Sequence, residues 1–174
     1  MDARTVARAL KTPVTLLVLV GFVLWAANWA WDAARAPIPE RPLPPCVMTD
    51  VGPELPADQV FVQVLNGTET SGLARRLAAL LRADGFNVFR TTNAPTPDHA
   101  VSEVVGSAED APEVVLVRQA FTDIAFRADG RDNATVDVII GAQQPVAAEG
   151  VQFSAPLPDG RACLAQVDVV NTEG

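Results

Sequence analysis

The first feature of the hydrophobic pattern is an uncharged, apolar run from Val14 to Trp31. As an α-helix rising 1.5 Å per residue, this run would be about 27 Å long, close to the ~30 Å hydrocarbon core of a bilayer. We therefore predict one transmembrane helix over residues 14–31. The three tryptophans of the chain, Trp25, Trp29 and Trp31, all lie in the second half of the run, as is typical of aromatic residues at a membrane surface.

The charges beside this run predict its orientation. Residues 1–13 form a basic tail with three cations and one acid, so the positive-inside rule places the N-terminus in the cytoplasm and the rest of the chain outside. The alternative is a cleaved signal peptide with Ala34-Arg35-Ala36 as its processing site. The apolar run is longer than the ~7–15 residues usual in a signal peptide, which favours an uncleaved anchor.

The segment 32–56 is rich in proline, with seven prolines between residues 37 and 56. Segments of this composition are extended and semi-rigid. We predict that it forms a stalk between the membrane and a folded domain that begins near Ala57.

Beyond the stalk, the hydrophobic positions switch between strand-like and helix-like spacing. The predicted elements are a strand at 60–65, a helix that follows Ser71 and stops at Gly85, strands at 86–91 and 101–106, a helix at 111–121, and strands at 124–127 and 135–141. This order, β-α-β-β-α-β-β, predicts an α/β domain over residues 57–143, a two-layer α+β sandwich with both helices on one face of a mixed sheet. The tail 144–174 is less regular, with a candidate strand at 164–170.

The two predicted helices rest on different signals. The first has four leucines at i, i+4, i+7 and i+8, which predicts one buried face, and Ser71 or Thr70 could cap it. These leucines are Leu73, Leu77, Leu80 and Leu81. In the second, β-branched residues favour a strand, whereas Pro112 in a first turn and Asp110 as a cap favour a helix. We predict the helix.

Composition then narrows the classes of function. A net charge of −8 and a pI near 4.5 argue against binding of nucleic acid, which needs a basic surface. With one histidine and two cysteines the chain offers few metal ligands, so we expect neither a metal nor a cofactor. His99 lies in a loop beside prolines with no serine or cysteine partner, and we predict no catalytic residue.

The acidic residues show no active-site pattern. We expect one group to form a solvated face: Glu103, Glu109, Asp110 and Glu113. A second group lacks the glycine and the closing glutamate of an EF-hand, and we assign it to a turn and a strand: Asp129, Asp132 and Asp137.

Cys46 and Cys163 are the two cysteines of the chain. If the predicted orientation holds, both lie in an oxidising compartment, where thiols usually pair. We therefore predict a disulfide between them that ties the C-terminal tail back to the stalk.

A candidate binding site follows the first predicted strand, at Asn66-Gly67-Thr68. A turn that opens onto a helix N-terminus presents N–H groups and the positive end of the helix dipole to an anion or a sugar hydroxyl. We predict a weak glycan or anion site formed by Asn66, Thr68, Ser71 and Arg75. The alternative is turn chemistry alone, in which Asn-Gly makes the corner and Ser71 caps the helix.

Several of these stretches together resemble the LytR C-terminal domain family. The resemblance is carried by a strand ending in Asn-Gly-Thr, a Gly-Leu-Ala helix start, a Gly-Phe before the second strand and a closing strand. In this chain they are residues 62–68, 71–74, 85–88 and 132–141. The resemblance covers about residues 58–142, and the anchor and stalk before it are similar to those of stand-alone actinobacterial envelope members.

The resemblance implies a single-pass protein of the cell membrane with an extracytoplasmic, non-catalytic domain that supports the cell wall. Its expected partners are the membrane and peptidoglycan or an envelope glycopolymer. The alternative is a subunit that binds wall-assembly proteins and has no affinity for glycans.

Overall fold

The computed structural model describes residues 3–35, 42–148 and 150–167, and the chain separates into two units, Met1–Arg41 and Pro42–Gly174. The first unit contains one helix, α1, from Ala3 to Arg35. The part from Val14 to Arg35 has a mean hydropathy of 1.8. Among the described residues it is the one helix long and apolar enough to cross a membrane.

The second unit is built on a five-stranded sheet with the strand order β4-β3-β7-β5-β6. Its strands are β3 (Phe61–Asn66), β4 (Asn87–Asn93), β5 (Glu103–Gly106), β6 (Ala125–Ala128) and β7 (Val136–Ile140). β3 pairs in parallel with both β4 and β7, β5 is antiparallel to β7, and β6 is parallel to β5. The mixed sheet is therefore the one that the sequence predicts.

Two helices cover one face of this sheet. They are α2 (Leu73–Ala83) and α3 (Pro112–Gln119). The buried face of the sheet is made of valines whose side chains share one apolar core with both helices: Val62, Val64, Val104, Val136 and Val138. The order of elements and the placement of both helices on one face are confirmed.

The buried face of α2 differs in one position from the predicted leucine stripe. Leu77 and Leu81 are buried, but Leu80 is 52% exposed. Ala74 and Ala78 complete the buried face instead, because residues four apart lie above one another on a helix. The prediction for Leu80 was wrong.

Both helices begin without the predicted side-chain caps. Gly72 is the N-cap of α2, with a left-handed φ of +86°, and no side chain caps the helix. Ser71 therefore lies one residue too early to cap it. Ala111 is the N-cap of α3, so Asp110 is not the cap, whereas Pro112 occupies the first turn as predicted.

The expected stalk and tail form two small sheets instead. β1 (Val47–Asp50) pairs with β9 (Arg161–Leu164), and β2 (Glu54–Pro56) pairs with β8 (Ser154–Pro156). The stalk prediction is wrong for these residues, because β1 contains no proline and the prolines of the second pair, Pro56 and Pro156, lie at the ends of two-stranded edge pairs, where a missing N–H is tolerated. Of the rest of the segment 32–56, residues 32–35 belong to α1, and residues 36–41 lie outside the described residues. The last three residues of the predicted strand 164–170 also lie outside the described residues.

A disulfide joins Cys46 to Cys163, with a Cα–Cα distance of 5.3 Å. Cys46 directly precedes β1 and Cys163 lies within β9, so the disulfide reinforces the pairing of these two strands. The backbone N–H of Cys46 also donates to the carbonyl of Asp132, just before β7. The N-terminal end of the unit is therefore fixed near the amino end of the central strands.

Gly67 follows β3 at a point of close approach. A Cβ atom there would lie 2.6 Å from the ring of His99 and 2.8 Å from the carbonyl oxygen of Ile140. The Gly67 N–H donates to that same carbonyl, and the His99 N–H donates to the carbonyl of Gly67. Only glycine fits this position without moving its neighbours.

We expect Gly67→Ala to lower the free energy of unfolding of the second unit by about 1–3 kcal/mol, the cost of overpacking a filled site. The double variant with His99→Ala should recover part of the loss, because the ring contact is removed and the Ile140 contact is not. All tryptophans lie in α1 and the chain has no tyrosine, so unfolding is followed by amide hydrogen exchange. If Gly67→Ala were as stable as the wild type, the close approach of Gly67 to His99 and Ile140 would be contradicted.

We expect replacement of both Cys46 and Cys163 by serine to lower the free energy of unfolding by about 2–5 kcal/mol, because the unfolded chain gains freedom. Hydrogen exchange in β1 and β9 should accelerate most. A reducing agent should destabilise the wild type and leave the double variant unchanged. Equal sensitivity of both proteins to the reducing agent would show that the disulfide is not the cause.

Candidate functional site

The candidate site lies where the parallel strands β3 and β4 end. Asn66, the last residue of β3, is paired in register with Asn93, the last residue of β4. The N–H of Ala94 donates to the Asn66 carbonyl at 2.8 Å. Because α2 connects these two parallel strands, its N-terminus comes to the same edge of the sheet, the edge at which α/β proteins commonly bind ligands.

A groove of about 310 Å³ opens at this edge, which we call the α2 groove. Its lining is contributed by the end of β3, the start of α2 and the end of β4: Asn66, Ser71, Gly72, Ala74, Arg75 and residues 91–93. Ser71, Arg75, Thr92 and Asn93 are exposed. The groove therefore offers hydroxyl, amide and guanidinium groups, together with the first-turn N–H groups of a helix that no side chain caps.

Asn66 and Thr68 hold the turn together rather than reach into the solvent. The Asn66 amide oxygen accepts hydrogen bonds from the N–H and the hydroxyl of Thr68, at 3.2 and 2.9 Å, and its amide nitrogen donates to the carbonyl of Thr70 at 3.0 Å. The Thr68 hydroxyl also accepts from the N–H of Thr70. This network fixes the backbone that leads into α2.

Three of the four predicted site residues line the α2 groove, namely Asn66, Ser71 and Arg75. Thr68 does not line it, and its contacts are those of the turn. Residues 91–93 at the end of β4 also line the groove, although they were not among the predicted residues. The β-α-β order could have predicted them, because parallel strands joined by one helix end at the same edge of the sheet. Binding of a ligand here stays a prediction.

Residues 59–143 match the model of the family described as LytR cell envelope-related transcriptional attenuator. This part of the chain is a LytR C-terminal domain. A solved structure also resembles the chain: the soluble domain of a conserved hypothetical secreted protein from Mycobacterium marinum. The identity is 21% and the TM-score 0.45, over 59% of this chain and 79% of that one. No curated protein matches the chain.

His99 has a packing role in the LytR C-terminal domain. Its ring lies over Gly67, and its Nε2 atom is 3.4 Å from the hydroxyl of Thr96. Across the part of the chain that the structure describes, no group of three or more histidine, cysteine or acidic side chains is placed to hold a metal ion.

The acidic residues near α3 do not all form the solvated face that the sequence predicts. Glu113 is only 8% exposed and accepts a hydrogen bond of 2.9 Å from the hydroxyl of Ser107. Burial raises the pKa of Glu113, against smaller, opposing effects of a backbone hydrogen bond and the Ser107 hydroxyl. The expectation of a solvated residue was wrong for Glu113, because its position at the start of α3 faces the core.

Two of the aspartates from the turn and closing strand are bound to Arg131. The Arg131 guanidinium donates to Asp129 at 2.6 Å and to Asp137 at 2.8 Å, and to the hydroxyl of Thr135 at 3.1 Å. Burial alone would lower the pKa of Arg131, but the two carboxylates outweigh it and raise the pKa. These residues anchor the start of β7 and lie away from the α2 groove.

We expect Glu113→Gln to stabilise the LytR C-terminal domain at neutral pH. Because burial raises the pKa of Glu113, this group binds more protons in the folded state than in the unfolded state, and its contribution to stability falls as the pH rises above ~4.3. The difference between variant and wild type should therefore be small near pH 4 and grow toward pH 8, as measured by denaturant unfolding. Glu69→Gln, at an exposed position, is the control, and a difference that is constant with pH would contradict the assignment.

Proposed function

We propose that this protein is a membrane-anchored, extracytoplasmic module of the cell envelope that supports the wall by binding peptidoglycan or an envelope polysaccharide, without chemical turnover. The observation that carries the proposal is the α2 groove. Its exposed groups are hydroxyl, amide and guanidinium groups, which pair with the hydroxyl and carboxylate groups of sugars. The family description adds that the domain is related to the cell envelope.

Helix α1 and the disulfide both support a location of the folded domain outside the cytoplasm. Helix α1 could cross a membrane, and the basic residues before it favour a cytoplasmic N-terminus. The Cys46–Cys163 disulfide is typical of a protein in an oxidising compartment. The domain is accordingly expected to face the wall.

The charge of the chain favours a local site over a general electrostatic attraction. Residues 32–174 hold ten basic and twenty acidic side chains, so the expected exported part is strongly acidic and would repel a polyanionic wall polymer. A cation in the α2 groove can still bind one acidic group of a largely neutral glycan. Arg75 is the side chain that would do so.

Retention on wall sacculi tests the proposal. We expect the detergent-solubilised full chain to sediment with purified sacculi and Arg75→Ala to weaken retention by about tenfold, as for the loss of one charged hydrogen bond. Arg76→Ala is the matched control, because Arg76 is also exposed on the first turn of α2 but does not line the groove.

The outcomes separate the proposal from its alternative. Equal retention of Arg75→Ala and Arg76→Ala would exclude the α2 groove as the glycan site. If sacculi retain none of the proteins and crosslinking in membranes recovers one stoichiometric partner, the protein is a subunit of a wall-assembly complex instead.

A further inference from the structure

We propose that the α2 groove is one half of a longer site, and that this site takes a linear glycan that continues into a second groove on the other side of His99. The inference rests on the proposed function and deepens it by naming the shape and length of the ligand. The second groove has a volume of about 220 Å³ and is called here the β5–β6 groove. It is lined mainly by Val101, Asp123, Gln143, Gln144 and Pro145.

The sheet topology places both grooves at one edge. β3, β4 and β7 end at this edge, and because β5 runs antiparallel to β7, β5 and β6 begin there. The α2 groove lies over the ends of β4 and β3, and the β5–β6 groove lies over the segment after β7 and the starts of β5 and β6. With strands ~4.8 Å apart, the grooves are roughly 14 Å apart along the edge.

The wall of the second groove is held rigidly by the buried hydroxyl of Ser102. This hydroxyl donates to the carbonyl of Gln143 at 2.7 Å and accepts from the N–H of Gly141 at 2.9 Å. The N–H of Gln143 donates to the carbonyl of Ala100 at 3.0 Å. The backbone at Gln143 is therefore fixed from two sides, while its side chain and that of Gln144 are exposed. Such preorganisation lowers the entropic cost of binding.

His99 connects the two grooves through the backbone. Its N–H donates to the carbonyl of Gly67 after β3, at 3.0 Å, and its carbonyl accepts from the N–H of Ala142 after β7, at 2.8 Å. The loop that carries His99 thus bridges two neighbouring strand ends. The grooves belong to one rigid edge rather than to two independent loops.

The chemistry of the second groove fits a sugar. Asp123, Gln143 and Gln144 supply a carboxylate and two amides for hydroxyl groups, and Val101, which is 50% exposed, offers an apolar surface to the face of a sugar ring. A peptide bound as an added strand would need the free edge of a strand. This site instead runs across the strand ends, and the edge strands β4 and β6 contribute to it only residues at one end of each strand.

Binding of glycans of increasing length tests the inference. The full chain in detergent is titrated with wall glycan strands freed of peptide, as a disaccharide, a tetrasaccharide and an octasaccharide. We expect the octasaccharide to bind the wild type about tenfold or more tightly than the disaccharide, since only the longer glycan reaches both grooves. The double variant Gln143→Ala with Gln144→Ala should weaken octasaccharide binding about tenfold and leave disaccharide binding unchanged.

Two other variants make the result specific. Arg75→Ala should weaken the binding of every length, and Gln152→Ala, at an exposed glutamine that lines neither groove, should match the wild type. If the Gln143 and Gln144 double variant binds the octasaccharide as the wild type does while Arg75→Ala does not, the longer site is wrong and the proposed function stands. If the wild type binds no glycan, both fail, and binding of an extended polypeptide at this edge would then identify a protein ligand.

Discussion

The parallel pairing of β3 with both β4 and β7 is the constraint on which the rest of the domain depends. Val62 and Val64 of β3 are completely buried, and the strand lies inside the sheet, between β4 and β7, with α2 packed over it. A parallel neighbour can be reached only through a crossover connection, and α2 provides it between β3 and β4. The N-terminus of α2 is thereby brought to the ends of both strands, where the α2 groove opens.

A second constraint is the way in which the two ends of the unit close on each other. β1 and β2 pair with β9 and β8, and the disulfide lies beside the first of these pairs. These contacts lie near the amino ends of β3 and β7, because the N–H of Cys46 donates a hydrogen bond to the carbonyl of Asp132, just before β7. The closure therefore stabilises the domain without occupying the edge that holds both grooves.

Much of the central sheet could be predicted from the sequence, since buried strands such as 136–140 are continuous apolar runs and α2 shows a clear helical period. The pairings of β1 and β2 could not be predicted, because their partners lie about a hundred residues away and proline-rich segments have no hydrophobic period. The burial of Glu113 could not be predicted either, since a charged residue is rarely placed in a core.

In the candidate site, Ser71 and Arg75 could be predicted from helix-terminus chemistry, whereas Thr92 and Asn93 needed the knowledge that β4 lies beside β3.

The proposed ligand of the edge at which β3, β4 and β7 end is a wall glycan. Backbone amide NMR of the isotopically labelled full chain in micelles, with a soluble wall glycan added, tests this proposal most directly. We expect chemical-shift changes concentrated at residues 71–75 and 91–93, with further changes near Gln143 as the glycan becomes longer. Shifts confined to β1 and β9, or no shifts at saturating glycan, would contradict the proposal.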